Sequence, residues 1–284
     1  MPDNIISAAK DEGLHEQVAN LLRIAAEREV MPRFQNLRDD EISCKSSPQD
    51  LVTAADIRAE KWLKPQLLGL KPGSVLIGEE SVAEDPALLY QLDDKGVFWI
   101  VDPVDGTGNF VKGSERFAMM VALVERGETT HSWIYAPTLD AVAVAQKGAG
   151  AFWQGTRLCE RQKIPFAASK AEYSESYMPK NLRKTLRQNM RAMANHHNGR
   201  SSAWAYLDCA RGDVEMVLAG RMKPWDHAAG VLLVEESGGR AGMILDGAAY
   251  KPLPYVEPPM LTVANAAMWE PYRRALVVDD VREG

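Results

Sequence analysis

The stretch Trp99-Ile100-Val101-Asp102-Pro103-Val104-Asp105-Gly106-Thr107-Gly108-Asn109-Phe110 carries the sharpest local signal in this chain. An apolar run of strand character stops at two carboxylates. Proline disfavours the helical region for the residue before it, so Asp102 is held extended, and Gly106 permits a sharp turn after Asp105. Both acids then project from a strand end into one crevice. The amides of Gly106 and Thr107, at a turn leading into a helix, can receive the oxygens of an anion. Two acids in one crevice must be neutralised. Hard divalent cations do this with oxygen ligands, and magnesium favours few protein carboxylates plus water and substrate phosphate.

Outward from this stretch, acids recur where elements begin or end. Gly78-Glu79-Glu80-Ser81 follows the apolar run of residues 75–77. Pro224-Trp225-Asp226-His227-Ala228-Ala229-Gly230 places an acid at a helix start, where Asp226 reads either as a helix cap or as a ligand. Upstream, Thr53 caps a helix with Asp56 in its first turn; Ile57, Trp62 and Leu63 are expected on its buried face before Pro65 disturbs it. Leu14, Val18, Leu21, Leu22 and Ala25 recur at helical spacing, predicting an amphipathic helix up to about Val30. Runs at 98–101, 117–124, 130–135 and 141–145, rich in β-branched and aromatic residues, read as a meandering sheet. After Gly155 helices are expected around 181–194, 203–210 and 226–236, with short strands near 214–218, 241–244 and 261–263.

With 284 residues, 46% of them hydrophobic, the chain can bury a substantial core. Its 33 basic and 39 acidic residues give a formal net charge of −6 without a basic block, which argues against nucleic acid as a partner. An anionic substrate would have to be drawn by locally created charge, such as bound divalent cations. Cys44, Cys159 and Cys209 are widely separated and form no CxxC pair, which fits a reducing cytoplasm. No stretch approaches the roughly 18 apolar residues of a membrane span, so a soluble cytoplasmic protein with no membrane partner is expected.

Singly these motifs are ordinary, since paired glutamates are usually solvated and Asp-Pro or Asp-Gly usually marks a turn. In series they are not. Asp50-Leu51-Val52-Thr53-Ala54-Ala55-Asp56, then Gly78-Glu79-Glu80-Ser81, then 102–110, then 225–230, resemble the inositol monophosphatase superfamily across positions 45–230. The resemblance implies a layered α/β fold, the α-β-α-β-α sandwich of the inositol monophosphatase and fructose-bisphosphatase group. Residues 1–160 would form an N-terminal half with most metal ligands, and 161–284 a C-terminal half contributing Asp226, with a soft boundary near Pro165.

It also implies a magnesium-dependent phosphoric monoester hydrolase acting on a small phosphorylated metabolite. Glu79, Asp102 and the backbone carbonyl of Val104 would hold one magnesium ion, and Asp102, Asp105 and Asp226 a second. A third, weaker ion would sit near Glu79, with Asp56 reaching it through water. Thr107 paired with Asp56 would orient and deprotonate the attacking water, so Asp56, Thr107 and Glu79 form the implied catalytic set. Lys45, Asp105, Gly106, Thr107, Arg200 and Asp226 would surround the phosphate. The step would be direct in-line attack without a phosphoenzyme. A homodimer and inhibition by lithium at elevated magnesium are further expectations of the resemblance.

Substrate choice is less constrained. Where inositol monophosphatases carry a polyol-contacting Glu, some seven residues before the WDxAAG aspartate, this chain has Ala219, with Arg221 and Lys223 nearby. In the RSxG[ST]AA-like segment Arg200 and Ser201 match, whereas Ala203 and Trp204 replace small residues. An inositol-1-phosphate-like substrate, histidinol phosphate, a sugar phosphate and a 3′-phosphonucleotide such as 3′-phosphoadenosine 5′-phosphate all remain open. The DxDGT nucleophile of haloacid-dehalogenase-type phosphatases does not fit, because Asp102 and Asp105 stand one residue too far apart. Val111 breaks a GxGxxG pattern, and His196, His197 and His227 lack a zinc-site arrangement. A non-catalytic regulatory protein retaining the fold is the reading of another class.

Overall fold

The computed structural model describes residues 12–44, 51–93, 95–175, 178–255 and 259–277. Helix α1 (Glu12–Ala25) continues through a wider turn at Ala26–Val30 and a tight one at Met31–Arg33, where Pro32 withholds a backbone donor. Strands β1 (Ile42–Cys44) and β2 (Leu51–Thr53) pair antiparallel. Helix α2 (Ala54–Leu70) starts at Thr53 with a reciprocal capping box to Asp56.

Pro65 lies inside α2, which runs on to Leu70; the ring lies on the exposed face, where the carbonyl it deprives of a partner can turn to water. One expectation for α2 is corrected: Ile57 is 45% exposed, because the buried stripe follows Ala55, Ala59, Leu63 and Leu67 at four-residue steps and position 57 falls on the opposite side.

Next come β3 (Val75–Gly78), α3 (Glu79–Glu84), β4 (Val97–Asp105), α4 (Thr107–Val111), β5 (Ala118–Glu125), β6 (Glu128–Ala136), β7 (Ala141–Gln146), β8 (Gly150–Trp153) and β9 (Thr156–Leu158). These strands form one sheet in chain order, parallel between β3 and β4 and an antiparallel meander thereafter. The remainder holds β10 (Lys170–Ser174), α5 (Lys180–Met190), β11 (Asn195–His197), α6 (Ser202–Arg211), β12 (Met216–Ala219), α7 (Pro224–Glu236), β13 (Arg240–Met243), β14 (Met260–Val263) and α8 (Trp269–Leu276). Its sheet runs β11-β10-β12-β14-β13, parallel through the first three strands and antiparallel at β14.

Side-chain alternation along the first sheet sorts the core into layers. Trp99, Val101, Met119 and Val121 pack with α1 and α2, whereas Phe98, Ile100, Met120 and Ala122 join a second cluster with α6, α7 and the second sheet. Helix α7 is apolar nearly all round because it is sandwiched between the two sheets, touching β4 to β8 on one side and β13 and β14 on the other. Helices α5 and α8 pack together, with α8 against β14. The result is the expected α-β-α-β-α sandwich. No helix among the described residues is long and apolar enough to cross a membrane.

Candidate active site

Asp102 and Asp105 are three residues apart on β4, and in a regular strand an odd separation would send them to opposite faces. The register with β5 slips between them: Asp102 pairs with Met120 but Asp105 with Ala118, three steps against two. This bulge turns both carboxylates to one side and leaves Pro103, which has no N–H to offer, where no ladder bond is needed. Asp102 Oδ1 accepts from the Val104 amide at 3.1 Å. Gly106 follows with φ +85°, and a Cβ there would press on the Arg116 carbonyl and Ser201.

Asp105 lies at the amino end of α6. Its carboxylate accepts from the Ser201 hydroxyl, from the Ala203 amide at 2.9 Å and from the Ser202 amide at 3.0 Å. An anion is favoured there by the unpaired first amides of the helix and its dipole. Ser201 also caps α6 through the Trp204 amide at 3.2 Å.

Each oxygen of Asp56 has its own task. Oδ2 accepts from the Thr53 amide at 2.8 Å and hydroxyl at 2.5 Å, while Oδ1 faces the Thr107 hydroxyl at 3.1 Å. That hydroxyl also lies 3.0 Å from the Val104 carbonyl oxygen. Glu79 opens α3 at the end of β3. The start of α3 is fixed by Glu60 of α2, which accepts from the Glu80 amide at 2.8 Å, the Ser81 amide at 2.7 Å and the Ser81 hydroxyl at 2.5 Å. Asp226 does not cap α7: Lys223 occupies the cap position without a side-chain bond, and Asp226 stands in the first turn. The cap reading is thus overturned because the helix starts at Pro224, whose missing N–H costs nothing there.

These residues meet in a cavity of about 310 Å³, whose lining includes Glu79, Asp102, Val104, Asp105, Gly106, Thr107, Arg200 and Asp226. Asp56 stands behind Thr107, and Lys45 lies outside the described residues. Gathering the acids raises their affinity for protons. Burial, then the charges of Glu79, Asp105, Asp226 and Asp56, push Asp102 well above the usual carboxylate range. Burial lifts Asp105 to about 6 against the pull of its Ser201, Ala203 and Ser202 donors. Asp226 rises to about 8 through desolvation, with Arg221 opposing and Glu79 and Asp105 adding to it.

A cluster of oxygen donors that repel one another in this way suits a hard divalent cation. The residues present therefore fit magnesium. Among the described residues no three or more His, Cys, Asp or Glu side chains are already closed into a metal cage; Asp105, for one, has both oxygens turned to protein donors.

Several residues of this cavity escaped the sequence reading. Glu172, on β10, lines it and is buried; its carboxylate accepts from Arg116 at 2.7 Å, and Arg116 also reaches Asp208 at 2.8 Å. Burial lifts Glu172 to about 7 with Arg116 opposing. Tyr206 also faces the cavity, as does His227, which the sequence offered only as a rejected zinc ligand. The amides of Ser202 and Ala203 carry no side-chain signature at all, although Ser201, as a helix cap, was the available clue to them.

The model of the Inositol monophosphatase family matches residues 11–269. The chain belongs to the inositol monophosphatase family. It is 30% identical to the inositol-1-monophosphatase of Bacillus subtilis over 201 residues, 70% of this chain and 74% of that protein. It is 28% identical to the fructose-1,6-bisphosphatase/inositol-1-monophosphatase of Thermotoga maritima, over 71% of this chain and 75% of that one. The structure of an IMPase/NADP phosphatase complexed with Mg2+ and phosphate superposes with a TM-score of 0.79 at 22% identity, over 94% of this chain and 96% of the other, and shares the fold. As a member of the family the chain is a phosphatase, a phosphoric monoester hydrolase.

Proposed function

We propose that this phosphatase hydrolyses a small phosphorylated metabolite with a water molecule oriented by Thr107 and Asp56, at a site built for two to three magnesium ions. The observation that supports it is the meeting of Glu79, Asp102, Asp105 and Asp226, from three separate stretches of chain, in the cavity beside the Thr107–Asp56 hydrogen bond. The family is generally magnesium-dependent.

Glu79, Asp102 and the Val104 carbonyl would hold one ion, and Asp102, Asp105 and Asp226 another. Bound there, the cations would supply Lewis-acid activation of water and neutralise charge on the phosphoryl and leaving oxygens. Thr107 has one hydroxyl hydrogen. Given to Asp56 Oδ1, it leaves a lone pair to accept a hydrogen bond from the attacking water, and Asp56 then stands ready to share the proton. The amides of Gly106 and Thr107 would receive phosphate oxygens, with Arg200 and Lys45 beside them. A homodimer is part of the same reading.

Asp102→Asn tests it. The variant should stay folded by circular dichroism and lose nearly all magnesium-dependent phosphate release, whereas full activity would refute the assignment. The names of the relatives make inositol 1-phosphate and fructose 1,6-bisphosphate the first substrates to try, with histidinol phosphate and adenosine 3′,5′-bisphosphate completing the panel.

A further inference from the structure

Ser201, Ser202 and Ala203 hold Asp105 only while the first turn of α6 stays against the end of β4. Behind that turn lies a charge cluster that packing alone does not require. Glu172 sits within β10, paired on both sides, and is 2% exposed; Asp208, in the second turn of α6, is 8% exposed. One nitrogen of Arg116, from the segment between α4 and β5, donates to both acids, at 2.7 Å and 2.8 Å. His197 Nε2 lies 3.5 Å from the same Glu172 oxygen. Buried ion pairs are commonly no more stabilising than apolar residues of similar volume, because desolvation offsets the attraction. What such a cluster adds is geometry.

That geometry is organised around the turn leading into α6. The Arg116 guanidinium lies over the Trp204 ring, 4.9 Å from its centroid, and the Trp204 indole N–H donates to the Phe117 carbonyl at 3.1 Å. Trp204 stands where the resemblance called for a small residue, so the stack comes with this chain's own departure from the motif. Asn109 ties Arg116 to Gly199, donating to their carbonyls at 2.7 Å and 2.9 Å. The second Glu172 oxygen lies so close to Gly199 that a Cβ there would overlap it. Arg116 therefore holds α6 at Trp204 and again at Asp208, and holds β10 at Glu172, while its backbone braces the turn at 199–201.

We propose that Arg116 is a positioning residue for cation binding: by drawing Glu172 and Asp208 together it fixes the first turn of α6 at the angle from which Ser201, Ser202 and Ala203 hold the Asp105 carboxylate, and so sets how that carboxylate meets a magnesium ion. This rests on the reading of Asp105 as a ligand of the second ion. Groups that orient a ligand without touching the metal are typically worth about 10- to 100-fold in metal affinity. Lysine at position 116 would keep the charge but present it as a single point, without the planar fork or the stack on Trp204.

The test is magnesium binding to the full chain, titrated calorimetrically with inorganic phosphate present, on variants shown by circular dichroism to be folded. Arg116→Lys should weaken magnesium affinity about 10-fold and Arg116→Gln more, while kcat at saturating magnesium changes little. Arg116→Lys still sets a charge against the two acids, so it serves even where Arg116→Gln does not fold. Leu22→Ala, a cavity in the core beneath α1 and away from the site, gives a control that is destabilised in melting curves and should keep its magnesium affinity. Unchanged affinity in Arg116→Lys, or an equal loss in Leu22→Ala, would overturn the positioning role. Asp105→Asn separates that role from the reading beneath it. Asp105→Asn should itself weaken magnesium binding, and adding Arg116→Lys should then weaken it no further, since both act through one carboxylate. The same loss from Arg116→Lys with and without the Asp105 carboxylate would overturn the role and leave Asp105 a ligand. Full magnesium affinity in Asp105→Asn would overturn the ligand reading itself.

Discussion

Thr107 has two acceptors within reach and one hydrogen, and this shortage makes it informative. If the hydroxyl serves only to tie the turn to Val104, Thr107→Val should cost stability and little else. If it orients water, the variant should keep its thermal midpoint within a few degrees while kcat falls about 100-fold or more, the usual worth of a positioned proton-transfer group. Phosphate release and a melting curve on one preparation separate the two. Ser201 offers a second test. Its hydroxyl caps α6 and holds Asp105 down against the upward push of burial. Ser201→Ala should cost about 1 kcal/mol in a denaturant titration as a lost cap. It should also move the magnesium-activation profile to higher pH, since Asp105 would then keep its proton longer. The Thr53 cap with Asp56 in the first turn was legible in sequence; the amides that clamp Asp105 were not, because backbone donors have no residue identity.

Among the elements, α7 shows why the helix after Pro224 must carry Gly230. A Cβ at that position would overlap the Tyr206 ring of α6, and the two helices meet between the sheets, where neither can retreat. Gly230→Ala should destabilise the protein by about 1–3 kcal/mol despite the higher helix propensity of alanine. A thermal midpoint equal to or above that of the unaltered protein would contradict this packing. The elements also mark the limit of pattern reading. β4 was readable as an apolar run, but its bulge was not, because the slip exists only relative to β5. β10 was missed because Lys170-Ala171-Glu172-Tyr173-Ser174 lacks the apolar run expected of a strand paired on both sides; its buried Glu172 is acceptable only because Arg116 arrives from another part of the chain.

Across the whole molecule, the gathered carboxylates set how stability depends on pH. In the unfolded chain these acids titrate near 3.8, whereas folding lifts Asp105 to about 6 and Asp226 to about 8, and burial also pushes Asp102 well above the usual carboxylate range. The folded state therefore holds protons that the unfolded state has released, and stability falls as pH rises between those values. Cations compete with those protons for the same oxygens, so stabilisation by magnesium should be small near about pH 5 and large near about pH 8. Melting curves in chelator and in magnesium across that range check both statements. A chelated protein whose stability does not change with pH, or a magnesium effect greater at the acid end, would count against the proposed ligand set.

The sequence by itself determined where the acids stand along the chain, that Gly106 breaks β4 from α4, that Thr53 starts α2, and that the motif series belongs to a family of metal-assisted phosphatases. Those are properties of neighbours in sequence, fixed by local sterics and by residue type. Tertiary structure alone decided that Asp102 and Asp105 share a face, that Asp56 divides its oxygens between Thr53 and Thr107, and that Arg116 reaches the buried Glu172. Each depends on a partner tens of residues away or on the register of another strand, and burial and charge take their values only once those partners have packed.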